Sequence, residues 1–355
     1  MESPVDWRWQ MAQADEVARR LEPPAPVSFP SFPSFPTRAT PHVLSLIRKY
    51  DYTDPIFAQV IPRPEETVTM PEEMVDPTGD VTHCVLGDKH PLLVHRYPDR
   101  VLLIIGSPCP MHCRFCFRRP DPRDAGNFTA ADMEALARYL LAHSEVHEVV
   151  ITGGDPLSLP DERLGGLLED IHRIPQIRTI RIHTRMITAN PFRFTSGLLS
   201  ILANSAVPLW LVAHINHANE LTGDHPQMIR ELMAVGVPVL SQSVLLHGVN
   251  DDRETLRDLF LSLIEMRIKP YYLHHPDPVP GTAHFRIPPD MGLRLFKSLR
   301  GSIPGYALPT YVLDVPGGYG KVPLCPGHLI IGAGGTMIEA LDGRLHTYPK
   351  GREQA

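Results

Sequence analysis

An apolar run leads directly into three cysteines in the stretch Val101-Leu-Leu-Ile-Ile-Gly-Ser-Pro-Cys-Pro-Met-His-Cys-Arg-Phe-Cys116. The first part, Val101–Ile105, is rich in β-branched and aliphatic residues and predicts a buried strand. Cys109, Cys113 and Cys116 follow it, separated by three and then two residues. Reactive groups gather at the carboxyl ends of the strands in a parallel βα barrel. The stretch therefore predicts a barrel strand that ends in a loop of ligand residues.

Downstream of this stretch, β-rich runs alternate with amphipathic ones. The candidate strands are Val101–Ile105, Glu148–Thr152, Thr179–Thr184, Leu209–Ile215, Val237–Leu246 and Pro270–His274. The candidate helices include Ala130–His143, Asp161–Ile171, Gln227–Val235 and Arg253–Met266. Alternation at a spacing of roughly 25–35 residues is typical of parallel βα units. Six such units predict an α/β fold built on a partly open (β/α)6 barrel.

The chain is predicted to divide into three regions. Residues 1–90 form an N-terminal region with an amphipathic helix over Asp6–Arg20 and three tandem Ser-Phe-Pro units, residues 28–36, that favour an extended conformation. Residues 91–300 hold the partial barrel. Residues 301–355 form a C-terminal segment with a glycine-rich loop that ends in Lys321.

The composition is that of an ordinary globular protein, with 43% hydrophobic and 21% charged residues. The net charge is −6 without a basic stripe, so neither nucleic acid nor a membrane surface is an expected partner. No apolar segment approaches the ~20 residues that cross a bilayer. The N-terminus lacks a basic segment followed by an apolar one, so a cytoplasmic location is expected. A tight, odd group of cysteines in a reducing compartment indicates metal ligation rather than disulfides.

The three clustered cysteines indicate an iron–sulfur cluster. Thiolates at this spacing can wrap one loop around a [4Fe–4S] cube, and because only three are supplied, one iron stays open for a small molecule. Structural zinc is the alternative, but it needs a fourth ligand. His112, the nominal candidate, lies between two cysteines and would reach the same metal awkwardly. The spacing resembles that of the radical S-adenosylmethionine (SAM) superfamily, in which SAM chelates the open iron and is cleaved to a 5′-deoxyadenosyl radical.

Two glycine-rich turns complete the set of motifs. Gly153-Gly154-Asp155 follows the second strand and resembles the superfamily's site for the SAM amine, although such a turn alone is weak evidence. The second is Asp314-Val-Pro-Gly-Gly-Tyr-Gly-Lys321, which does not match a phosphate loop because its glycine spacing differs and Val322 follows the lysine. A lysine on such a loop suits a Schiff base with pyridoxal phosphate (PLP). Taken alone, an ordinary surface lysine is the commoner alternative.

Ordered runs along the whole chain match one family. They are Asp6-Trp-Arg-Trp-Gln10, His95-Arg-Tyr-Pro-Asp-Arg100, Cys109–Arg119, Arg181-Ile-His-Thr-Arg185, Asn216-His-Ala-Asn-Glu220, Gln242-Ser-Val-Leu-Leu246, Pro270-Tyr-Tyr-Leu-His274 and Asp314–Lys321. In these runs the chain resembles the lysine 2,3-aminomutase family of radical SAM enzymes that also use PLP. The resemblance implies an isomerase that moves the α-amino group of lysine to Cβ, with a [4Fe–4S] cluster, SAM and PLP as cofactors.

The resemblance also implies the site residues. The metal ligands are Cys109, Cys113 and Cys116. The residues at PLP are the Schiff-base lysine Lys321, with Arg96, Tyr97 and Arg100. The residues at SAM are Gly153, Gly154, Asp155, His214 and Gln242. Arg118 holds the substrate carboxylate with its planar fork, and Asp277 and Asp314 grip the distal ammonium.

Substrate and partners follow from the same resemblance. Two carboxylates suit a buried cation, and both positions coincide with the family's lysine-binding pair, which favours lysine over arginine and both over glutamate. A flavodoxin or ferredoxin is the expected electron donor. Alternatives of the same class are the lysine aminomutase that serves elongation factor P and a 2,3-aminomutase of another amino acid. A catalytically degenerate, cofactor-binding regulatory protein is an alternative of another class.

Two departures from the family are visible. His274 stands where the family often has a tyrosine near PLP. The chain ends in Thr347-Tyr-Pro-Lys-Gly-Arg-Glu-Gln-Ala355 without the C-terminal cysteines that bind zinc across subunits in long members. A homo-oligomer, if formed, is therefore expected to lack that zinc site.

Overall fold

The computed structural model describes residues 6–20, 35–86, 92–106, 108–119, 128–332, 335–340 and 343–348. The predicted Ser-Phe-Pro repeat lies outside the described residues except for its end, Phe35 and Pro36. The helices are α1 (Trp7–Arg20), α2 (Pro41–Ser45), α3 (Pro55–Val60), α4 (Ala130–Ala142), α5 (Asp161–His172), α6 (Met186–Ala189), α7 (Ser196–Ala203), α8 (His225–Ala234), α9 (Arg253–Glu265) and α10 (Pro289–Ser298). Short 3-10 turns lie at Pro64–Thr67, Pro156–Ser158, Pro191–Arg193, Ala218–Glu220, Ala283–Phe285 and Gly305–Ala307.

Ten strands form one sheet whose order follows the chain. They are β1 (Cys84–Leu86), β2 (Leu93–Tyr97), β3 (Arg100–Ile105), β4 (Glu148–Gly153), β5 (Thr179–Thr184), β6 (Leu209–His214), β7 (Val239–Val244), β8 (Lys269–His274), β9 (Thr310–Asp314) and β10 (Lys321–Pro323). Strands β3 to β9 are parallel, and β1, β2 and β10 are antiparallel to their neighbours. A separate antiparallel sheet contains β11 (Leu329–Gly332), β12 (Gly335–Glu339) and β13 (Leu345–Tyr348).

The predicted α/β architecture is confirmed. The six predicted strands correspond to β3–β8, and the four predicted barrel helices correspond to α4, α5, α8 and α9. Strand β9 continues the parallel sheet and was not among the predicted strands. Within the described ranges β1 and β10 do not pair with each other, so the sheet forms an open barrel. The proposed boundaries at residues 90 and 300 stay a prediction.

The barrel helices form because they combine a capped start with an apolar stripe. In α9, the Asp252 side chain accepts a hydrogen bond from the Thr255 N–H over 3.0 Å. Its buried residues are Leu256, Leu259, Phe260 and Leu263, at the spacing of one helical face. This face packs on the outer side of the sheet within the main hydrophobic core.

The two faces of the sheet differ in chemistry because successive side chains of a strand point to opposite sides. The face toward the helices is apolar and includes the fully buried Ile180, Ile182 and Leu211. The other face points into the barrel, and the pairing register places polar side chains of neighbouring strands side by side on it. These positions include Arg181, His183, His214, Gln242, Tyr272, His274 and Asp314. The fold thus collects titratable groups inside the barrel.

In the part of the chain that the structure describes, no helix combines the length and the apolar character that a membrane span requires.

Candidate active site

The three clustered cysteines lie in the loop after β3, residues 109–116, here called the cysteine loop. The Cys116 N–H donates to the Cys113 carbonyl over 2.9 Å, which turns the chain back on itself. Burial, with Asp155 and the other two thiols nearby, raises the pKa of Cys109 well above its ordinary value. Burial likewise raises the pKa of Cys113 to about 12. Because the thiols shift one another, the loop brings the three sulfurs together.

This donor set fits an iron–sulfur cluster. Within the described ranges, no three His, Cys, Asp or Glu side chains are arranged as ligands of one metal ion. A cube places its three thiolates on three different irons, so its ligands stand farther apart than those of a single ion. Buried neutral thiols are also ligands that lose their protons when a metal binds. The predicted assignment of Cys109, Cys113 and Cys116 is chemically consistent with the geometry.

A buried ion-pair network holds the cysteine loop from behind. Arg114 donates through Nε and NH2 to the two oxygens of Glu66, over 3.0 and 2.5 Å. Arg119 donates to the same carboxylate over 2.6 Å. The Phe35 ring lies 4.8 Å from the Arg114 guanidinium and 5.1 Å from that of Arg119. One buried carboxylate from the N-terminal region therefore holds Arg114 within the cysteine loop and Arg119 just after it.

The turn after β4 requires glycine at its first position. Gly153 has φ +133°, and a Cβ there would lie 2.1 Å from the Ile105 carbonyl oxygen. Asp155 is buried and accepts hydrogen bonds from Thr184 Oγ1 (2.8 Å), from the Arg185 N–H (2.6 Å) and from two further backbone N–H groups. Burial raises the pKa of Asp155 to about 6. Its carboxylate ties the turn to the end of β5, and the charge of Asp155 contributes to the raised pKa of Cys109 in the cysteine loop.

The predicted SAM residues His214 and Gln242 are ladder neighbours on the inner face. The His214 ring lies 5.4 Å from the ring of Phe115 in the cysteine loop. Burial, followed by the nearby Arg185, lowers the pKa of His214 well below its ordinary value. Its Nε2 is buried without a hydrogen-bond partner among the described residues. An orphaned polar atom beside the cysteine loop fits contact with a bound ligand.

The residues predicted for PLP and substrate meet at the end of β9. Lys321 faces Asp314 across the β9–β10 ladder, and its Nζ donates to Asp314 Oδ2 over 2.5 Å. The backbone N–H of Lys321 donates to the Tyr97 hydroxyl over 2.9 Å. Arg96 NH2 lies 3.9 Å from Asp314 Oδ1. Lys321, Tyr97, Arg96 and Asp314 therefore form one connected group.

The two arginines predicted at the PLP phosphate differ in position. Arg96 NH1 donates to the Thr78 carbonyl over 2.5 Å, while its Nε is buried without a partner in the described part of the chain. Arg100 bonds the exposed Asp99 over 2.8 and 3.1 Å and lies 4.0 Å from the Tyr97 ring. Arg96 thus has an orphaned donor suited to an anion, whereas Arg100 faces an acidic surface neighbour.

The predicted substrate residues are electrostatically coupled. Arg118 donates through Nε and NH2 to Asp80 Oδ2, over 3.1 and 2.9 Å. Burial, then the charge of Asp314, raises the pKa of Asp277 to about 7, while Lys321 and Arg118 act in the opposite direction. Burial alone would raise the pKa of Asp314, but its contacts with His274 and Lys321 hold it well below its usual range.

The sequence interpretation missed the 76–83 segment. The Gly317 N–H donates to the Pro77 carbonyl over 3.0 Å, and His83 Nε2 lies 3.1 Å from the Gly318 carbonyl oxygen. Asp80 of the same segment pairs with Arg118. The glycine-containing run Asp76-Pro-Thr-Gly-Asp80 signals a turn, but no local pattern indicates a partner some 235 residues away.

His183 was also missed. It lies on the inner face of β5, and its buried Nε2 has no partner among the residues described. Burial, then Arg181 and Lys321, lowers its pKa well below the ordinary value. The alternation of side chains along β5 could have placed His183 on the face away from the apolar Ile182. It could not have shown that His183 lies near Lys321.

An open parallel barrel whose first parallel strand ends in a three-cysteine loop defines a radical SAM enzyme. In agreement, the sequence profile of the radical SAM superfamily matches residues 103–260, and the profile described as lysine-2,3-aminomutase matches residues 296–354. The chain is 36% identical to an L-lysine 2,3-aminomutase of Acetoanaerobium sticklandii, over 92% of this chain and 79% of that protein. It is 35% identical to the L-lysine 2,3-aminomutase of Clostridium subterminale, over 97% and 83%. It is 36% identical to that of Escherichia coli, over 76% and 78%.

The chain belongs to the lysine 2,3-aminomutase family. Radical SAM membership brings a [4Fe–4S] cluster and SAM as cofactors, and PLP is consistent with the family. The roles of the individual residues stay predictions.

Proposed function

We propose that the protein is a radical SAM, PLP-dependent isomerase that moves the α-amino group of L-lysine to Cβ and so forms β-lysine. The observation that carries this proposal is the 2.5 Å hydrogen bond from Lys321 Nζ to Asp314 Oδ2. A primary ammonium on an alkyl chain already fits the carboxylate that is proposed to bind the distal ammonium of the substrate. The family membership supports the same reaction.

Charge supports lysine over other amino acids. Asp314 is ionised at neutral pH, since its pKa lies below the usual range, and Asp277 shares its surroundings. Glutamate would place a third carboxylate beside them, and an apolar side chain would leave a buried charge unpaired. Arginine would also pair with the negative charge of Asp314, but its larger, planar guanidinium needs more space than the ammonium of lysine.

When bound, the cluster with SAM supplies hydrogen-atom abstraction at Cβ, and PLP supplies an aldehyde that holds the migrating amino group. The chain's own residues orient the reactants. Lys321 would hold PLP through its amine, and Arg96, whose Nε lacks a partner among the described residues, would hold the phosphate. Arg118 binds the α-carboxylate as Asp80 fixes its guanidinium plane. Holding both ends of the substrate aligns Cβ and limits competing reactions.

Several partners belong to this proposal. The cluster requires an electron donor such as a flavodoxin or a ferredoxin. A homo-oligomer without the family's zinc site and a cytoplasmic location stay predictions.

A degenerate, regulatory relative would be expected to have lost a cluster cysteine, Arg118 or Lys321, and all of these are present.

The test is an anaerobic assay of the reconstituted protein with lysine, arginine, glutamate and norleucine, with products identified by mass spectrometry. We expect β-lysine from lysine and at most slow turnover of the others. Lys321→Ala should abolish the product while the iron content stays normal. Formation of a different β-amino acid at a higher kcat/KM would contradict lysine as the substrate, and SAM cleavage without any β-amino acid would contradict an aminomutase.

A further inference from the structure

His274 is the last residue of β8 and points into the barrel beside Asp314. The ladder pairs His274 with Val312 on β9, two residues before Asp314, so both side chains lie on the inner face. His274 Nδ1 lies 3.7 Å from Asp314 Oδ2. The ring stands edge-on to Tyr272, with centroids 5.5 Å apart, which restrains its orientation.

The two oxygens of Asp314 have different surroundings. Oδ2 accepts from Lys321 and has His274 as its next nearest donor. Oδ1 is buried and accepts no hydrogen bond from the described residues, and Arg96 at 3.9 Å is too distant to donate. The orphaned Oδ1 is therefore the oxygen available to a ligand, while the chain itself holds Oδ2.

Lys321 cannot hold Oδ2 throughout the reaction proposed above, because its amine is also the group that bonds to PLP. Of the donors near Oδ2 in the described part of the chain, His274 then remains. A normal hydrogen bond of ~2.9 Å would need a shift of only about 0.8 Å from the observed 3.7 Å. A small rotation of either side chain supplies it.

We propose that His274 is a positioning residue that holds Asp314 Oδ2, so that Oδ1 stays directed at the distal ammonium of the substrate. The proposal rests on the proposed function. His274 touches Asp314 rather than the reacting atoms, so its effect is on substrate recognition.

A neutral imidazole suits this task better than a cation. Burial lowers the pKa of His274, Asp314 acts to raise it, and Lys321 adds to the lowering, with a net shift below the ordinary value. The ring therefore donates one N–H without carrying a charge. It fixes the direction of the carboxylate and leaves its negative charge for the ligand, whereas lysine or arginine at position 274 would neutralise it.

The test compares His274→Phe, which keeps a ring but removes the donor, with His274→Asn, whose amide nitrogen occupies nearly the place of Nδ1. His172→Phe is the matched control, since His172 lies on α5 and bonds Ser205 away from the site. Equilibrium binding of L-lysine and of L-norleucine, which lacks the distal ammonium, is measured by calorimetry. The protein is the full chain with cluster, SAM and PLP but without reductant, so that nothing turns over.

We expect His274→Phe to reduce the preference for lysine over norleucine by roughly 10-fold or more, the usual effect of losing a hydrogen bond to a charged group. His274→Asn should restore most of the preference, and His172→Phe should leave it unchanged. In turnover, His274→Phe should raise KM for lysine more than it lowers kcat.

Two failures can be told apart. If the wild type prefers lysine and His274→Phe keeps that preference with a normal melting curve, His274 does not position Asp314 and only this inference is overturned. If the wild type itself shows no preference for lysine, the proposed function and this inference both fail.

Discussion

Asp277 and Asp314 carry the same side chain but have opposite pKa shifts. Asp314 has Lys321 on one oxygen and His274 beside it, which outweighs the effect of burial. Asp277 is affected chiefly by burial and by the charge of Asp314, so its pKa rises to about 7. Two identical residues thus divide into a permanently ionised carboxylate and one that gains or loses its proton near neutral pH.

The raised pKa of Asp277 predicts a pH-dependent gain in stability for Asp277→Asn. Below the ordinary pKa of 3.8 both folded and unfolded states are protonated, and the substitution should change little. Between that value and about 7, Asp277 is ionised in the unfolded chain and protonated in the folded one. In this range it therefore lowers the free energy of unfolding by up to about 1.4 kcal/mol more for each pH unit. The cost levels off above the folded-state pKa.

Urea denaturation at about pH 5, 6.5 and 8 measures this effect. The midpoint of Asp277→Asn should exceed that of the wild type by an amount that grows with pH. A gain of the same size at every pH would show that burial does not raise this pKa. The variant should also bind lysine more weakly, because the substrate loses one of its proposed carboxylates.

Gly153 is a position at which any side chain should disturb the site. Its φ of +133° and the 2.1 Å approach to the Ile105 carbonyl leave no room for Cβ, so Gly153→Ala must displace the end of β4 from β3. We expect a loss of more than about 1 kcal/mol in the free energy of unfolding, together with weaker SAM binding. Thermal melts and SAM titrations measure both.

Gly166 provides the matched control. It is exposed within α5, and a Cβ there would meet nothing within 4 Å. Gly166→Ala should therefore stabilise the protein by about 0.5–1 kcal/mol and leave SAM binding unchanged. If Gly153→Ala and Gly166→Ala had the same stability and the same affinity for SAM, the role assigned to the Gly153 backbone would be wrong.

At the scale of elements, the loop of residues 314–321 is positioned by the 76–83 segment. The backbones meet so closely that a Cβ on Gly79 would lie 2.6 Å from Gly318 Cα. Hydrogen bonds from Gly317 to Pro77 and between His83 and Gly318 flank this contact. These contacts join the segment before β1 to the loop before β10, the two edge strands that do not pair with each other within the described residues.

Gly79→Ala should accordingly weaken the hold on PLP. The added methyl group and the φ of +70° both oppose the observed packing, so Lys321 should lose its alignment. We expect PLP to dissociate during gel filtration while iron content stays normal, measured by absorbance and by iron analysis. Gly223→Ala, with nothing within 4 Å of its Cβ, should retain PLP. If Gly79→Ala retained all of its PLP, the 76–83 segment would not be what positions the loop of residues 314–321.

At the scale of the whole molecule, the N-terminal region supports the cysteine loop, and Glu66 supplies the buried carboxylate of that support. Glu66 is fully buried and bonds both Arg114 and Arg119, whose guanidinium groups are also buried. Breaking such a buried pair commonly costs about 3–5 kcal/mol, because charges remain without a partner. We therefore expect cluster assembly to depend on this carboxylate, which precedes the barrel strands in the chain.

Glu66→Gln should therefore lower both stability and iron incorporation. Glu65→Gln is the control, since Glu65 is half exposed and its pair with Arg63 is a surface one, worth at most about 1 kcal/mol. Chemical denaturation and iron per chain after reconstitution are the measurements. If the two variants lost similar amounts of stability and iron, the buried network would not be what holds the loop.

The sequence alone predicted most of the features that depend on local spacing. The cysteine pattern, the alternation of strands and helices and the runs of family residues are all readable over short windows, and they predicted the barrel class and the family. Strand β9 and helix α7 escaped this reasoning. Helix α7 has only eight residues, and the period of so short a run does not decide between helix and strand.

Contacts between distant residues were settled by tertiary structure. The pair Arg118–Asp80 spans 38 positions, Arg114–Glu66 spans 48, and His83–Gly318 spans 235. No periodicity encodes such partners, since they depend on strand register and on how far the open barrel curls. Asp277 and Asp314 could be named as a pair only through the family resemblance. The difference in their charge state depends on the burial and the neighbouring charges that folding imposes.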